Sequence, residues 1–368
     1  MEQTTIFARI INMNVKVLCA DEEVYRYVCR ELELHICEGN EQTQNIIIDI
    51  KNEEFTNGNN LTKVNECAYT DNCKVYICVE AFLRKTWIVI DTKCKESIYV
   101  ELFINKRNDR IKRFCAPNFQ YPWQNSIVDF FHGIFLWLIE KHLLDYGVTL
   151  VHAAAFVHNE KCILLAADAA AGKSTVVDDI VRRYRGKYIA EDYCFVDGCG
   201  NVYGLFNQRR ILTSKKECKG MQDFCNFILF TVAKKLRVIH AESIRIRSTR
   251  ELYLNSDIIT QGYRCEGIFL TREVNDKMFF DCAEHCVKVM ENEIRNWDGC
   301  MQLMNAIDTL IPAENICEDF FERLDNVVKK SIYASNMRLV SIPYMNTKEQ
   351  FVDCLYDEME RVKNEDGN

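Results

Sequence analysis

Short apolar runs alternate with polar breaks over the first third of the chain. "NIIIDIK", "CKVYICVEAF", "KTWIVID" and "ESIYVELFI" are rich in Ile, Val, Tyr and Phe and are bounded by Asn, Gly and Lys. Branched and aromatic side chains suit a pleated, half-buried surface, and the polar residues between them close each run. The pattern predicts a mostly antiparallel sheet from Thr5 to about Asn118, with one helix near Glu22–Leu34 packed on it. "APNFQYPWQN" follows with Pro117 and Pro122, half of the four prolines, and reads as a linker.

The spacing then changes. Phe130, Phe131, Ile134, Phe135, Leu138 and Leu143 recur at helical intervals after an S-x-x-D capping pattern at Ser126 and Asp129, and Gly147 supplies a stop. One helix over 126–147 is expected, its aromatic stripe buried as core, linking an N-terminal α+β domain (1–120) to a C-terminal domain (148–368). In the latter the order is strand, loop, helix. "TLVHAAAFV" and "KCILLAA" read as strands about a turn at His158–Glu160, and a helix runs from Gly172 to Tyr184, ending at Gly186. "KYIAEDYCFVD" and "NVYGLF" are strands joined by a turn at "DGCGN". Beyond residue 210, helices are expected near 214–235, 282–308, 316–331 and 347–363, with strands at "CEGIFLTRE" and "RLVSIPY". The fold class is α+β with an α/β portion.

At 368 residues the chain has the length of two domains of about 150 residues each. A composition of 48% hydrophobic and 27% charged residues is that of a packed globule. The net charge of −8 argues against nucleic acid and anionic membrane surfaces as partners, since both select basic faces. "MEQTTIFARI" lacks the basic start and apolar core of a signal peptide, which points to the cytoplasm. The 19 cysteines are scattered through apolar runs without a C-x-x-C, so buried thiols are expected rather than disulfides. "DCAEHC" is the nearest approach to a metal cluster, and no second ligand pair stands at a familiar spacing from it.

The candidate chemistry lies in "ILLAADAAAGKST". A phosphate loop needs a strand end, a curl of inward-facing N–H groups and a helix whose positive end meets the anion. Here a strand leads into Asp168, Ala169, Ala170, Ala171 and Gly172, followed by Lys173, Ser174 and Thr175 at a helix start. Lysine neutralises terminal phosphate charge and the adjacent hydroxyl takes Mg²⁺. The first position of the G-x-x-x-x-G-K-[ST] pattern is Ala167, which costs about 1 kcal/mol if that position needs positive φ. His152 lies on the preceding strand, and Glu191–Asp192 ends the following one. A carboxylate there can hold Mg²⁺ opposite Ser174 while a second takes a proton from an attacking hydroxyl. Those are the parts of a phosphoryl-transfer site.

This order, His152–Ala153, a strand, G-K-S-T at 172–175, a helix, then Glu191–Asp192 and "VDGCGNVYG", resembles the HPr kinase/phosphorylase family. It is most similar to the shorter members that phosphorylate serine in ribosomally made peptides, such as lasso-peptide kinases. The likeness is dense over about 148–212 and faint to about 345. It implies a P-loop-containing, phosphoenolpyruvate carboxykinase-type domain using ATP and Mg²⁺. Family loops commonly read G-x-S-G-x-G-K-S-[T], from which Ala167, Ala169 and Ala170 depart, and the usual Asp-Asp is here Glu191–Asp192. By the resemblance, Lys173 clamps the β and γ phosphates, Ser174 and Asp192 hold Mg²⁺, and Glu191 is the general base, with an exchange of roles between the two acids left open. His152 stands near the transferred phosphate. Arg209 and Arg210 supply charge to the transition state, and Arg245, Arg247 and Arg250 alternate as on a strand.

The expected function is an ATP-dependent kinase acting on a hydroxyl, foremost serine, of a peptide or small protein that the N-terminal domain recognises, with self-association as a further expectation. Two alternatives stand beside it: a kinase for a small hydroxyl compound, and a degenerate nucleotide sensor or scaffold, suggested by the alanines of the loop.

Overall fold

In a computed structural model the described residues are 4–39, 44–56, 61–71, 73–81, 84–91, 97–106, 122–167, 172–205, 208–212, 228, 244–248, 258–271, 282–297, 299–311, 315–341, 350 and 352–357. They form a mixed α and β structure that divides into two compact units. The first contains residues 1–137, 206–252 and 296–317, and the second 138–205, 253–295 and 318–368. Residues 206–252 and 296–317, read from sequence as part of the 148–368 domain, thus group with the first unit.

The first unit begins with β1 (Thr4–Ile10), β2 (Met13–Cys19), α1 (Glu22–Glu31) and β3 (Ile46–Asn52). It continues through β4 (Thr62–Lys63), β5 (Ala68–Thr70), β6 (Lys74–Ala81), β7 (Arg84–Asp91) and β8 (Ile98–Ile104). The eight strands form one sheet in the order β1-β2-β3-β8-β7-β6-β5-β4. Its pairs are antiparallel except β2 with β3 and β3 with β8, so the sheet is mostly antiparallel, as the alternating pattern predicts. Alternate residues Met13, Val15, Val17, Ile46, Ile48, Ile50, Val100, Leu102 and Ile104 are buried, which is the period-two signature of a one-sided core. Asp21 caps α1 by accepting the Val24 N–H at 2.9 Å.

The single helix expected over 126–147 is two: α2 (Pro122–Phe131) and α3 (Ile134–Leu144), meeting at His132–Gly133. Pro122 belongs to the first turn of α2 rather than to the linker, since its fixed φ and missing N–H suit that position. Ser126 is consequently not a cap. It lies inside α2, buried, and its Oγ accepts the Thr86 hydroxyl at 2.6 Å. Gly133, costing about 1 kcal/mol in a helix interior, sets the break. The aromatic stripe is core: Phe130, Phe131 and Phe135 are fully buried, with ring centroids 4.9 Å apart for the last two.

The second unit contains β9 (Val148–Val151), β10 (Ala153–His158), β11 (Lys161–Ala167), α4 (Lys173–Arg183), β12 (Lys187–Ala190), β13 (Cys194–Asp197) and β14 (Asn201–Gly204). The antiparallel pair β15 (Gln208–Leu212) and β16 (Ile244–Ser248) belongs to the first unit, and β17 (Tyr263–Thr271) to the second. The helix expected over 282–308 is again two, α5 (Cys282–Asn296) in the second unit and α6 (Cys300–Leu310) in the first. Gly299, at φ +85°, divides them, and a Cβ there would press on Ile134 and Ile77 at 3.0 and 3.1 Å. α7 (Ile316–Ala334) and β18 (Arg338–Ser341) follow. The helix expected near 214–235 lies outside the described residues apart from Ile228.

The second sheet runs β12-β10-β11-β17-β14-β13-β9, with β18 beside β17. The β10–β11 hairpin turns through Asn159 and Glu160, both at positive φ (47° and 65°), the two-residue geometry that matches strand twist. Gly186 follows α4, but the left-handed residue after that helix is Arg185 (φ 55°). Gly186 is needed for closeness: a Cβ there would stand 2.8 Å from the Val157 carbonyl. No disulfide is present among the described cysteines. Among the described residues no helix is long and apolar enough to cross a membrane.

Glu140 on α3 is wholly buried and fastens β9 by accepting the Thr149 hydroxyl and the Leu150 N–H, both at 2.7 Å. Burial pushes its carboxyl up to about 8 from the ordinary 4.5, against the pull of those two hydrogen bonds. With a folded value above the unfolded one, the folded protein keeps its proton between about pH 4.5 and 8 while the unfolded chain loses it. Stability is therefore expected to fall as pH rises through that window, by on the order of 4 kcal/mol. Glu140→Gln, which mimics the protonated group, removes this slope. Denaturant unfolding at pH 5, 6.5 and 8 checks it: a parallel fall in wild type and variant would refute the assignment to Glu140.

Candidate functional site

The two segments expected as single strands, 149–157 and 187–197, are each broken, and the breaks face one another. Val151 pairs with Cys194 and Ala155 with Ala190, so counting inward from either pair sets His152 opposite Tyr193. The ladder opens there, at His152 and at Glu191–Tyr193, and the flanking strands belong to opposite ends of the sheet order. Side chains at the opening are placed by ladders on both sides.

The same end of the sheet gives rise to the loop before α4. Ala153 pairs with Ala166, which puts His152 beside the last residue of β11, while β12 lies on the other flank of β10. β11 and β12 thus stand two strand spacings apart, roughly 10 Å, and both end where β10 begins. Ala153, Ala154 and Ala155 are fully buried on the two faces of β10, and α4 packs against this strand with Val176, Val177 and Ile180 buried.

α4 starts from Gly172, whose φ of +104° a side chain would strain. Gly172→Ala is expected to cost about 1–2 kcal/mol, read as a lower midpoint in thermal unfolding; an unchanged midpoint would mean that the backbone relaxes freely. Lys173 opens the helix and is only 5% exposed. The positive end of the helix lies here too, and an anion such as phosphate is favoured by the ammonium and by the helix start together. Ser174 and Thr175 are half-buried beside it. Asp168, Ala169, Ala170 and Ala171 lie outside the described residues, as does the side chain of Ala167.

His152 and Asp192, 40 residues apart in sequence, are brought together: His152 Nε2 lies 2.9 Å from Asp192 Oδ1. The imidazole is buried, its side chain 8% exposed, whereas the carboxylate is 57% exposed and keeps a face toward solvent. Glu191, next to it, is half-buried. Two residues that the sequence pattern did not mark complete the cluster. Tyr193 stacks on His152 with ring centroids 5.1 Å apart, and its hydroxyl donates to Glu293 Oε2 at 2.8 Å. The other Glu293 oxygen stands 3.6 Å from His152 Nδ1. Tyr193 directly follows the acidic pair and could have been suspected from that; Glu293, a hundred residues on in α5, had no local signal.

Arg209, Arg210, Arg245 and Arg247 lie on the β15–β16 ribbon of the first unit, where Arg209 pairs with Arg247; their side chains and Arg250 fall outside the described residues. Among the described residues no three His, Cys, Asp or Glu side chains form a metal-binding group, Cys282, Glu284, His285 and Cys286 included.

No protein-family model and no curated protein matches the chain. Among solved structures, the Hpr(Ser) kinase/phosphatase from Coxiella burnetii is similar over 36% of this chain and 71% of that one, at 16% sequence identity and a TM-score of 0.23.

Proposed function

We propose that this protein is an ATP-dependent phosphotransferase that moves the γ-phosphoryl group of ATP onto a hydroxyl, serine foremost, of a peptide or small protein. The observation that carries the reading is the His152–Asp192 bond at the sheet end from which the helix bearing Lys173 departs. A buried cation, a helix start, an imidazole and two carboxylates in one compact unit are what phosphoryl transfer uses, because its transition state needs charge stabilisation and in-line positioning more than covalent help.

In this reading Lys173 and the first N–H groups of α4 hold the β and γ phosphates. Ser174 and Asp192 offer a hydroxyl and a carboxylate, oxygen donors suited to a hard cation such as Mg²⁺, which when bound neutralises phosphate charge. Glu191 takes the acceptor proton as the hydroxyl oxygen bonds to the γ-phosphorus and the bridging oxygen leaves with ADP. His152 orients Asp192. Arg210 is assigned a supporting charge, and the N-terminal sheet is assigned acceptor recognition.

Incubation with γ-labelled ATP, Mg²⁺ and a panel of serine-containing peptides, including any short peptide encoded by a neighbouring gene, tests the proposal. Label is expected in peptide as phosphoserine. Failure to label any candidate, with ATP binding demonstrated by calorimetry, would sink it in favour of a nucleotide sensor.

A further inference from the structure

The cluster around His152 contains a carboxylate for which the proposed reaction has no direct use. Glu293 sits on α5, whose inner face is anchored by Ala283, Cys286, Val287, Met290 and Ile294, so its backbone position is fixed by packing. One of its oxygens accepts the Tyr193 hydroxyl at 2.8 Å, and the other stands 3.6 Å from His152 Nδ1.

We propose that Glu293 is a positioning residue of this site. It pins the Tyr193 ring as the platform on which His152 lies and, from the far side of the imidazole, fixes the ring edge that Nε2 presents to Asp192. The inference rests on the phosphotransfer reading for its catalytic consequence, and on geometry alone for its structural one. Three restraints converge on one ring: a stack, a hydrogen bond at one nitrogen and a carboxylate beyond the other. An imidazole needs such restraints because its terminal torsion is broad and roughly two-fold, so a ring held only by Asp192 can turn its nitrogens away from the carboxylate it is meant to orient. Partners behind a working residue hold its orientation in the same way as those behind metal-bound histidines, where their loss costs about 10–100-fold.

Full-length Glu293→Ala, Glu293→Gln and Tyr193→Phe test this in two readouts. The first is steady-state phosphorylation: Glu293→Ala lowers kcat by about 10–100-fold while KM for ATP stays within about twofold, the mark of an interaction that does not hold ground-state nucleotide. Glu293→Gln retains most of the activity, since its amide oxygen still accepts the Tyr193 hydroxyl. The second readout is the nitrogen-15 spectrum of the His152 ring at one fixed pH, assigned by its loss in His152→Asn. Wild type gives two separated nitrogen shifts from one tautomer, and Glu293→Ala gives averaged shifts. Unchanged kcat together with unchanged ring shifts in Glu293→Ala overturns the inference. If the wild-type protein phosphorylates nothing, the functional reading falls, and the ring spectrum decides this inference by itself. If Glu293→Ala does not fold, Tyr193→Phe decides: the same averaging supports the link, and an unaltered ring spectrum refutes it.

Discussion

Replacing Lys173 by alanine is expected to abolish phosphoryl transfer, lowering kcat/KM by about 10³-fold or more, the scale of removing a preorganised charge contact of about 4 kcal/mol. The size of the effect follows from where the ammonium sits. Lys173 as a residue is 5% exposed at the first position of α4, and a charge on a buried side chain is screened less than one in open solvent. Alanine suits a helix start, and the apolar face of Val176, Val177 and Ile180 is untouched, so the unit keeps its fold. Circular dichroism verifies that, calorimetry reads the weakened ATP affinity, and labelled ATP reads the rate. A variant that still transfers phosphate within about tenfold of wild type would place the nucleotide elsewhere.

Asp192→Asn should lower kcat by about 10²–10³-fold, a loss of the order of 3–4 kcal/mol in transition-state stabilisation. Asparagine keeps the shape of the side chain and an oxygen able to accept from His152 Nε2, whose partner is 2.9 Å away in the native protein. It removes the negative charge, and with it most of the attraction for Mg²⁺. Asp192→Ala removes both and should be at least as damaging. Titration with Mg²⁺ separates the two acids: the variant whose half-maximal Mg²⁺ rises marks the metal ligand, and the one whose kcat falls at unchanged Mg²⁺ requirement marks the base. A rise for Glu191→Gln and none for Asp192→Asn would exchange the assigned roles. Full activity of Asp192→Asn at ordinary Mg²⁺ would remove this carboxylate from the chemistry.

Much of the local structure is legible in the chain. The strands at 46–52, 74–81, 84–91 and 98–104 follow the alternation of branched and aromatic residues, and α4 follows Gly172 and the apolar spacing of Val176, Val177 and Ile180. The breaks were less so. Gly133 and Gly299 interrupt helices whose apolar spacing runs on without pause, because a glycine weakens a helix only modestly and neighbouring packing decides whether it yields. His152 and Glu191–Tyr193 interrupt strands for a reason that no single segment contains: the two must open together, where the paired segments leave one end of the sheet for the other.

The sequence by itself determined the type of most described elements and marked residues whose chemistry suits a phosphate, since periodicity, glycine and the chemistry of Lys, Ser, Asp and His are local properties. Only the tertiary structure decided which of them meet. The register of β10 against both β11 and β12 brings His152 to Asp192, and the packing of α5 brings Glu293 behind them across a hundred residues. Contacts of that range depend on how sheets and helices bury their apolar faces, and burial is a property of the whole fold.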